Sequence, residues 1–217
     1  MPKVYEKQRE ELISDLSDMS EVAEEMLHNS IKALDTKDSN LAWEVIERDD
    51  LLDHMQFTIE DKISRLLSEE HPHVSDARFA LATAKIAINL ERVGDHATNI
   101  AETVMELKNE KYLEPLVMIP ELADIVSDML SAVLESFITR NPDLAEAACR
   151  KDERADNIYE QIYEKNIRLL DDCDGTRKMN QVVRFINVAK SLERVGDHAT
   201  NIGEETIFAV TGNRVKY

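Results

Sequence analysis

A ten-residue stretch that occurs twice constrains this chain more than any other feature. Glu-Arg-Val-Gly-Asp-His-Ala-Thr-Asn-Ile runs from Glu91 to Ile100 and returns unchanged from Glu193 to Ile202. Identity over ten positions is not a chance event, so the chain is internally duplicated or one task holds both copies alike. Each copy carries Glu-x-x-x-Asp, Glu91 with Asp95 and Glu193 with Asp197, and an Asn four residues on, Asn99 and Asn201. Residues four apart share one face of a helix, so each copy presents a stripe of oxygen ligands.

The duplication reaches beyond the decapeptide. At an offset of 103, Met26-Leu27 falls on Met129-Leu130, Leu41-Ala42 on Leu144-Ala145, and Arg65-Leu66-Leu67 on Arg168-Leu169-Leu170. Asp49 and Asp53 fall on Asp152 and Asp156 at the same offset, and the decapeptides then align at 102. Six helical stretches are expected, over residues 4–35, 40–70, 75–108, 121–140, 142–171 and 176–211. Pro72 interrupts the second, Ser75 is placed to cap the third, and the segment holding Pro115 and Pro120 separates the halves. The fold class is therefore all-α, built of two tandem, pseudo-symmetric three-helix bundles with boundaries at 1–112 and 113–217.

Apolar stripes agree with this reading. Ile86, Leu90, Val93, Ala97, Ile100, Val104 and Leu107 step by four and three, and Val188, Leu192, Val195, Ala199 and Ile202 repeat the seam. Gly94 and Gly196 interrupt neither stripe, which points to close packing or ligand access at those positions. The 217 residues include only 5 Gly and 5 Pro, a composition of long helices and short connections. With 44 acidic against 26 basic residues the net charge is −18, which disfavours nucleic acid and anionic lipid and favours cations or basic surfaces. Two cysteines, Cys149 and Cys173, make no C-x-x-C pair or disulfide framework, and no apolar run approaches a membrane span. A cytoplasmic protein is expected.

Each unit carries two acidic pairs at helical spacing: Asp49/Asp53 with Glu91/Asp95, then Asp152/Asp156 with Glu193/Asp197. Like charges four apart destabilise a helix, so four such pairs at matching places need a reason. If helices two and three turn near residue 72, positions 51 and 93 each lie 21 residues from the turn, at one height. With the second turn between 174 and 175, positions 154 and 195 each lie 20.5 residues away. Both pairs also sit on the same rotational side of their core stripes, so they either converge on the shared groove or both turn away; heights that match twice favour convergence, and each unit is expected to gather four carboxylates. Such a cluster suits hard or borderline cations such as Mg²⁺, Mn²⁺, Ca²⁺ or iron, held singly or through bridging carboxylates. Asn99 and Asn201 continue the stripes as ligands or supporting groups, and His96 and His198 lie beside them as hydrogen-bonded or surface side chains. Arg92 and Arg194 read as ion-pair partners, and Glu47 and Asp50 as solvated neighbours. Glu24, Glu25 and His28, with Asp128 in the second half, reach similar heights without matching between the halves.

Duplicated three-helix units, D/E-x-x-x-D pairs on the second and third helix of each, and the paired ERVGDHATNI segments resemble the PhoU family of phosphate-signalling regulators, over essentially the whole chain. The resemblance implies a PhoU-like, cytoplasmic, non-enzymatic protein, frequently a homodimer. It implies negative regulation of the phosphate-starvation response through two partners, the sensor histidine kinase and the ATPase subunit of the phosphate ABC transporter. It also implies multinuclear metal sites, iron among others, on Asp49, Asp53, Glu91, Asp95, Asp152, Asp156, Glu193 and Asp197. Two other readings stand beside it: an accessory of a different phosphate carrier, and a carboxylate-bridged metal-binding or storage bundle. Ferritin-like bundles need two inward Glu-x-x-His motifs, and Glu25-x-x-His28 is the only one inside an expected helix.

Overall fold

The computed structural model describes residues 2–68, 73–171 and 175–217, the side chains of 2–5 and 171 excepted. The proposed interruption at Pro72, the hairpin centre at 72, Cys173 and most of the second turn lie outside the described residues.

Among the described residues the regular structure is entirely α-helical. Six helical arms are present, and two of them are each divided by a turn. The first arm is α1 (Pro2–Thr36); the second divides into α2 (Ser39–Glu47) and α3 (Asp49–Leu67); the third is α4 (Val74–Leu107). In the second repeat α5 (Met118–Thr139) is followed by α6 (Pro142–Cys149), α7 (Asp152–Asp171) and α8 (Thr176–Thr211). The continuous helices expected over 40–70 and 142–171 are thus broken at Arg48 and at Arg150-Lys151.

Neither break has a Pro or Gly to announce it. Asp38 caps α2, accepting from the N–H groups of Asn40 (2.9 Å) and Leu41 (3.2 Å), and Asn141 caps α6 with Pro142 in its first turn. α2 then buries Ala42 and Val45, and α3 starts afresh to bury Leu52, Ile59, Ile63 and Leu66. At the junctions the ladder tightens to three-residue steps, Arg48 N–H to Val45 O at 3.1 Å and Lys151 N–H to Ala148 O at 3.0 Å. Each break leaves an aspartate, Asp49 or Asp152, in the first turn of a new helix, where the helix dipole favours negative charge. Ser75 is not a cap: α4 is capped at His73, whose N–H donates to the Asp76 carboxylate at 3.2 Å.

The long helices α4 and α8 form the centre. They run antiparallel, as Lys85–Glu205 (2.6 Å), Arg184–Glu106 (2.7 Å) and Arg177–Glu110 (2.8 Å) show in turn along their length. α1, α2 and α3 pack on α4; α5, α6 and α7 pack on α8; and α1 meets α5 behind them. The stripes read from the sequence are buried as expected, and the buried side chains of both repeats form one contiguous cluster. Tyr112 donates its hydroxyl to Leu34 O (2.9 Å) in the first repeat, while the N–H of Leu113 donates to Gln181 (2.6 Å) in the second.

Candidate functional site

The two acidic pairs of each repeat come together, on facing sides of α3 and α4 and of α7 and α8. In the first set the Thr98 hydroxyl, on α4, donates to Asp49 Oδ1 at 3.1 Å. Burial raises the Asp49 carboxyl above its ordinary range; Thr98 opposes this, and the negative charges of Asp95, Asp53 and Asp50 add to it. Glu91 is raised for the same reasons, by burial first and then by Asp95, with Arg92 opposing and Asp53 and Asp49 adding. In the second set the upward shift is larger. Burial, then Asp156, Asp197 and Glu193, push Asp152 from 3.8 up to about 6, with Thr200 beside it opposing. Asp156 is raised by burial and by Asp197. The matched heights read from the sequence therefore correspond to real proximity.

The two glycines inside the decapeptides make that approach possible by different contacts. A Cβ on Gly94 would collide with the Leu52 side chain of α3, so this glycine sets the spacing of α3 against α4. A Cβ on Gly196 would stand 3.0 Å from Asp152 Oδ1, so this one admits a carboxylate.

Cations of the chain neutralise only half of each set. Arg92 Nη1 pairs with Asp95 Oδ2 at 2.8 Å, and its Nε lies 3.3 Å from Glu91. Arg194 Nη1 pairs with Asp197 Oδ2 at 2.9 Å, and Lys190 Nζ with Glu193 Oε1 at 2.6 Å. Asp49, Asp53, Asp152 and Asp156 have no ion pair among the described residues. Glu193 Oε2 is buried without a hydrogen bond among the described residues, with Arg194 Nε 3.7 Å away.

Other side chains lie at the crossing of α4 and α8. His96 and His198 face each other with ring centroids 5.5 Å apart. His198 Nδ1 is 2.9 Å from Asn89 Oδ1, and Asn201 Nδ2 donates to the same oxygen at 3.3 Å, so Asn201 is engaged across the helix interface. Burial, then His96, pushes His198 from 6.5 down to about 4; burial lowers His96 as well, and its Nδ1 is buried without a hydrogen bond among the described residues. Asn99 is exposed and lines a separate cleft with Arg184 and Lys190. Glu25 pairs with Arg48 at 2.5 Å, burial raises Glu24 beside Ser131, and Asp128 pairs with Lys151 at 3.8 Å. Glu47 is exposed, as expected.

Thr98, Thr200, Lys190 and Asn89 were not singled out from the sequence. The threonines carried a signal, since both belong to the decapeptide and stand one turn after its aspartate. Lys190 and Asn89 carried none, because the matching positions are Ile88 and Ser191.

The donor chemistry fits hard cations: each set brings four carboxylates, and burial and neighbouring negative charge raise Asp49 and Glu91 in the first and Asp152 and Asp156 in the second. The placement is not yet that of a closed site, since among the described residues no three His, Cys, Asp or Glu side chains are gathered around one position for an ion. Arg92 and Arg194 hold two carboxylates in each half, and these guanidiniums are about half exposed. Such pairs are worth about 0–1 kcal/mol, so an ion could displace them at little cost.

Comparison with known proteins gives a consistent result. The family model described as "PhoU domain" matches residues 16–104 and again 119–206. A relative from Clostridium acetobutylicum, named phosphate-specific transport system accessory protein PhoU homolog, is 36% identical over 98% of this chain and 97% of its own length. PhoU homolog 1 of Thermotoga maritima is 31% identical over 98% of this chain and 91% of its own. The crystal structure of PhoU from Pseudomonas aeruginosa superposes with a TM-score of 0.92 at 29% identity, covering 96% of this chain and 100% of that one. The phosphate transport system regulatory protein PhoU of Streptococcus pneumoniae gives 0.90 at 27%, over 98% and 100%.

Proposed function

The chain belongs to the PhoU family, and from that premise we propose that it is a non-enzymatic accessory of a phosphate transport system that restrains phosphate uptake and the phosphate-starvation response. In this reading it works in the cytoplasm, as a homodimer, as an adaptor between the ATPase subunit of a phosphate ABC transporter and a sensor histidine kinase. The names of its relatives support the transport link. Among the described residues no helix is long and apolar enough to cross a membrane, which accords with a protein that reaches the membrane through partners.

The observation that carries the mechanism is the pair of under-neutralised carboxylate sets, with Asp152 pushed up to about 6. Asp49, Asp53, Glu91 and Asp95 would hold cations in the first repeat, and Asp152, Asp156, Glu193 and Asp197 in the second; iron, manganese and magnesium all suit these oxygens. Bound ions would supply positive charge that, among the described residues, comes to the sets through Arg92, Arg194 and Lys190. The chain's own part is to hold the oxygens: Thr98 orients Asp49, Gly196 admits Asp152, and the helix breaks place both aspartates in first turns. With ions in place, an acidic face becomes one that a partner's carboxylates or phosphates can approach.

The test is capture of the transporter ATPase subunit and the kinase by full-length protein, chelated or loaded with iron, manganese or magnesium, beside an Asp95→Asn, Asp197→Asn variant. Metal-dependent capture lost in a folded variant is expected. Equal capture by chelated and loaded protein removes ions from the mechanism, and failure to capture either partner removes the adaptor role.

A further inference from the structure

The segment after α8 covers one repeat and has no counterpart on the other among the described residues. Gly212, at φ 78°, closes α8 and turns the chain back along it. Arg214 Nη1 then pairs with Glu205 Oε1 at 2.7 Å, and its guanidinium lies 3.6 Å over the Phe208 ring. The N–H of Tyr217 donates to Glu204 Oε1 at 2.9 Å, and its hydroxyl meets Glu146 on α6. Residues 212–217 thus strap an acidic and aromatic face with an arginine, a main-chain donor and a ring.

The internal repeat locates the same face on the first half. Glu204, Glu205 and Phe208 correspond to Glu102, Thr103 and Glu106 at the offset of 102, and Glu146 corresponds to Trp43 at the offset of 103. There α4 does not double back. Its continuation runs on to the second repeat, where Gln181 holds the N–H of Leu113 and the carbonyl of Lys111. Among the described residues nothing straps the matching face. Trp43, the chain's single tryptophan, is 51% exposed, and Glu102 and Glu106 are exposed where Glu204 and Phe208 are partly covered. Glu44, Glu47 and Glu102 have no ion pair among the described residues. A cleft of about 300 Å³ adjoins, lined by Asn99, Glu102, Thr103 and Glu106 from α4 and by Arg184 and Lys190 among others from α8.

We propose that the face carrying Trp43, Glu47, Asn99, Glu102 and Glu106 is a docking site for an extended basic segment of a partner protein, chemically like residues 212–217. The arrangement on the second repeat shows which groups such a segment brings. A main-chain N–H would go to Glu102 as that of Tyr217 goes to Glu204, and a ring would lie against Trp43 where Tyr217 meets Glu146. A guanidinium would share Glu106 with Arg184, an exposed pair that exchanges partners at little cost. Exposed tryptophan beside unpaired carboxylates has the make-up of an interface hot spot with charge complementarity for a basic chain. The site stands whether or not the carboxylate sets hold ions.

The single tryptophan makes the test direct. A hexapeptide with the sequence of residues 212–217, amidated at its end and itself free of tryptophan, is titrated into full-length protein while Trp43 emission is followed. A saturable change is expected, weakened about tenfold by Glu102→Lys, as for loss of a charge-assisted bond, and absent for the peptide carrying Arg214→Glu. Unchanged helical circular dichroism shows that the Glu102→Lys protein is folded. The proposal is overturned by no saturable change, or by a change that Glu102→Lys leaves intact. It is equally overturned if Trp43 emission of the protein alone shifts on dilution in step with loss of a dimer, because the occupant is then a second copy of this chain.

Discussion

Replacing Asp152 by Asn should stabilise the metal-free protein at neutral and alkaline pH. The rise of Asp152 from 3.8 to about 6 corresponds to about 3 kcal/mol of unfavourable charge. Asp152 is partly exposed, so screening brings this to about half, and losing an acid from the first turn of α7 gives back about 0.3–1 kcal/mol of helix-dipole energy. A net gain of about 1 kcal/mol at about pH 8 is therefore expected. A carboxyl raised on folding stabilises the fold below its unfolded value and loses that contribution as pH rises through the folded one. The advantage of Asp152→Asn should accordingly vanish by about pH 4. Urea unfolding of chelated protein at both pH values is the assay. Adding a saturating divalent cation should reverse the order, raising the wild type more than the variant. A variant less stable than wild type at the higher pH, without metal, would refute the claim that the set lacks positive charge.

His198 titrates with the opposite sign. Its value falls from 6.5 to about 4 on folding, so its contribution is complete above 6.5 and lost as pH falls toward 4; His198→Asn should flatten the acid limb of the stability curve by about 1–2 kcal/mol, read from urea midpoints across that window. Gly94→Ala should destabilise by about 1–3 kcal/mol through collision with Leu52, and the penalty should shrink on a Leu52→Ala background in a double-mutant cycle. Glu205 is 8% exposed and held by Lys85 and Arg214. Removing one cation by Lys85→Met should cost about 1–3 kcal/mol, and adding Glu205→Gln should recover part of it, as thermal unfolding will show.

Much of the site was legible because helical spacing and internal repetition are both written along the chain. The pairing of Asp49 with Asp95, or of Asp152 with Asp197, needed only the distance of each to its turn. Which charges neutralise which could not be read that way. Arg92 and Arg194 follow from spacing on one helix, but Lys190 beside Glu193 has Ile88 as its counterpart, and Asn89 reaches His198 from the other repeat. Repetition reports what two halves share and is silent on what one half alone contributes.

The sequence by itself determined the long helices, the duplication and the residues of each acidic stripe, because a period of about 3.6 residues is a local property of the backbone. Only the tertiary structure decided where the second and fifth arms break, how half of each carboxylate set is neutralised, and which repeat is strapped by residues 212–217. The breaks at Arg48 and Arg150-Lys151 contain no helix-breaking residue. They occur where α2 and α6 cover one stretch of the central helices and α3 and α7 must turn to cover the next, a demand set by the partner surface. Burial and neighbouring charge, which raise Asp152 and lower His198, likewise exist only once α4, α7 and α8 are packed together.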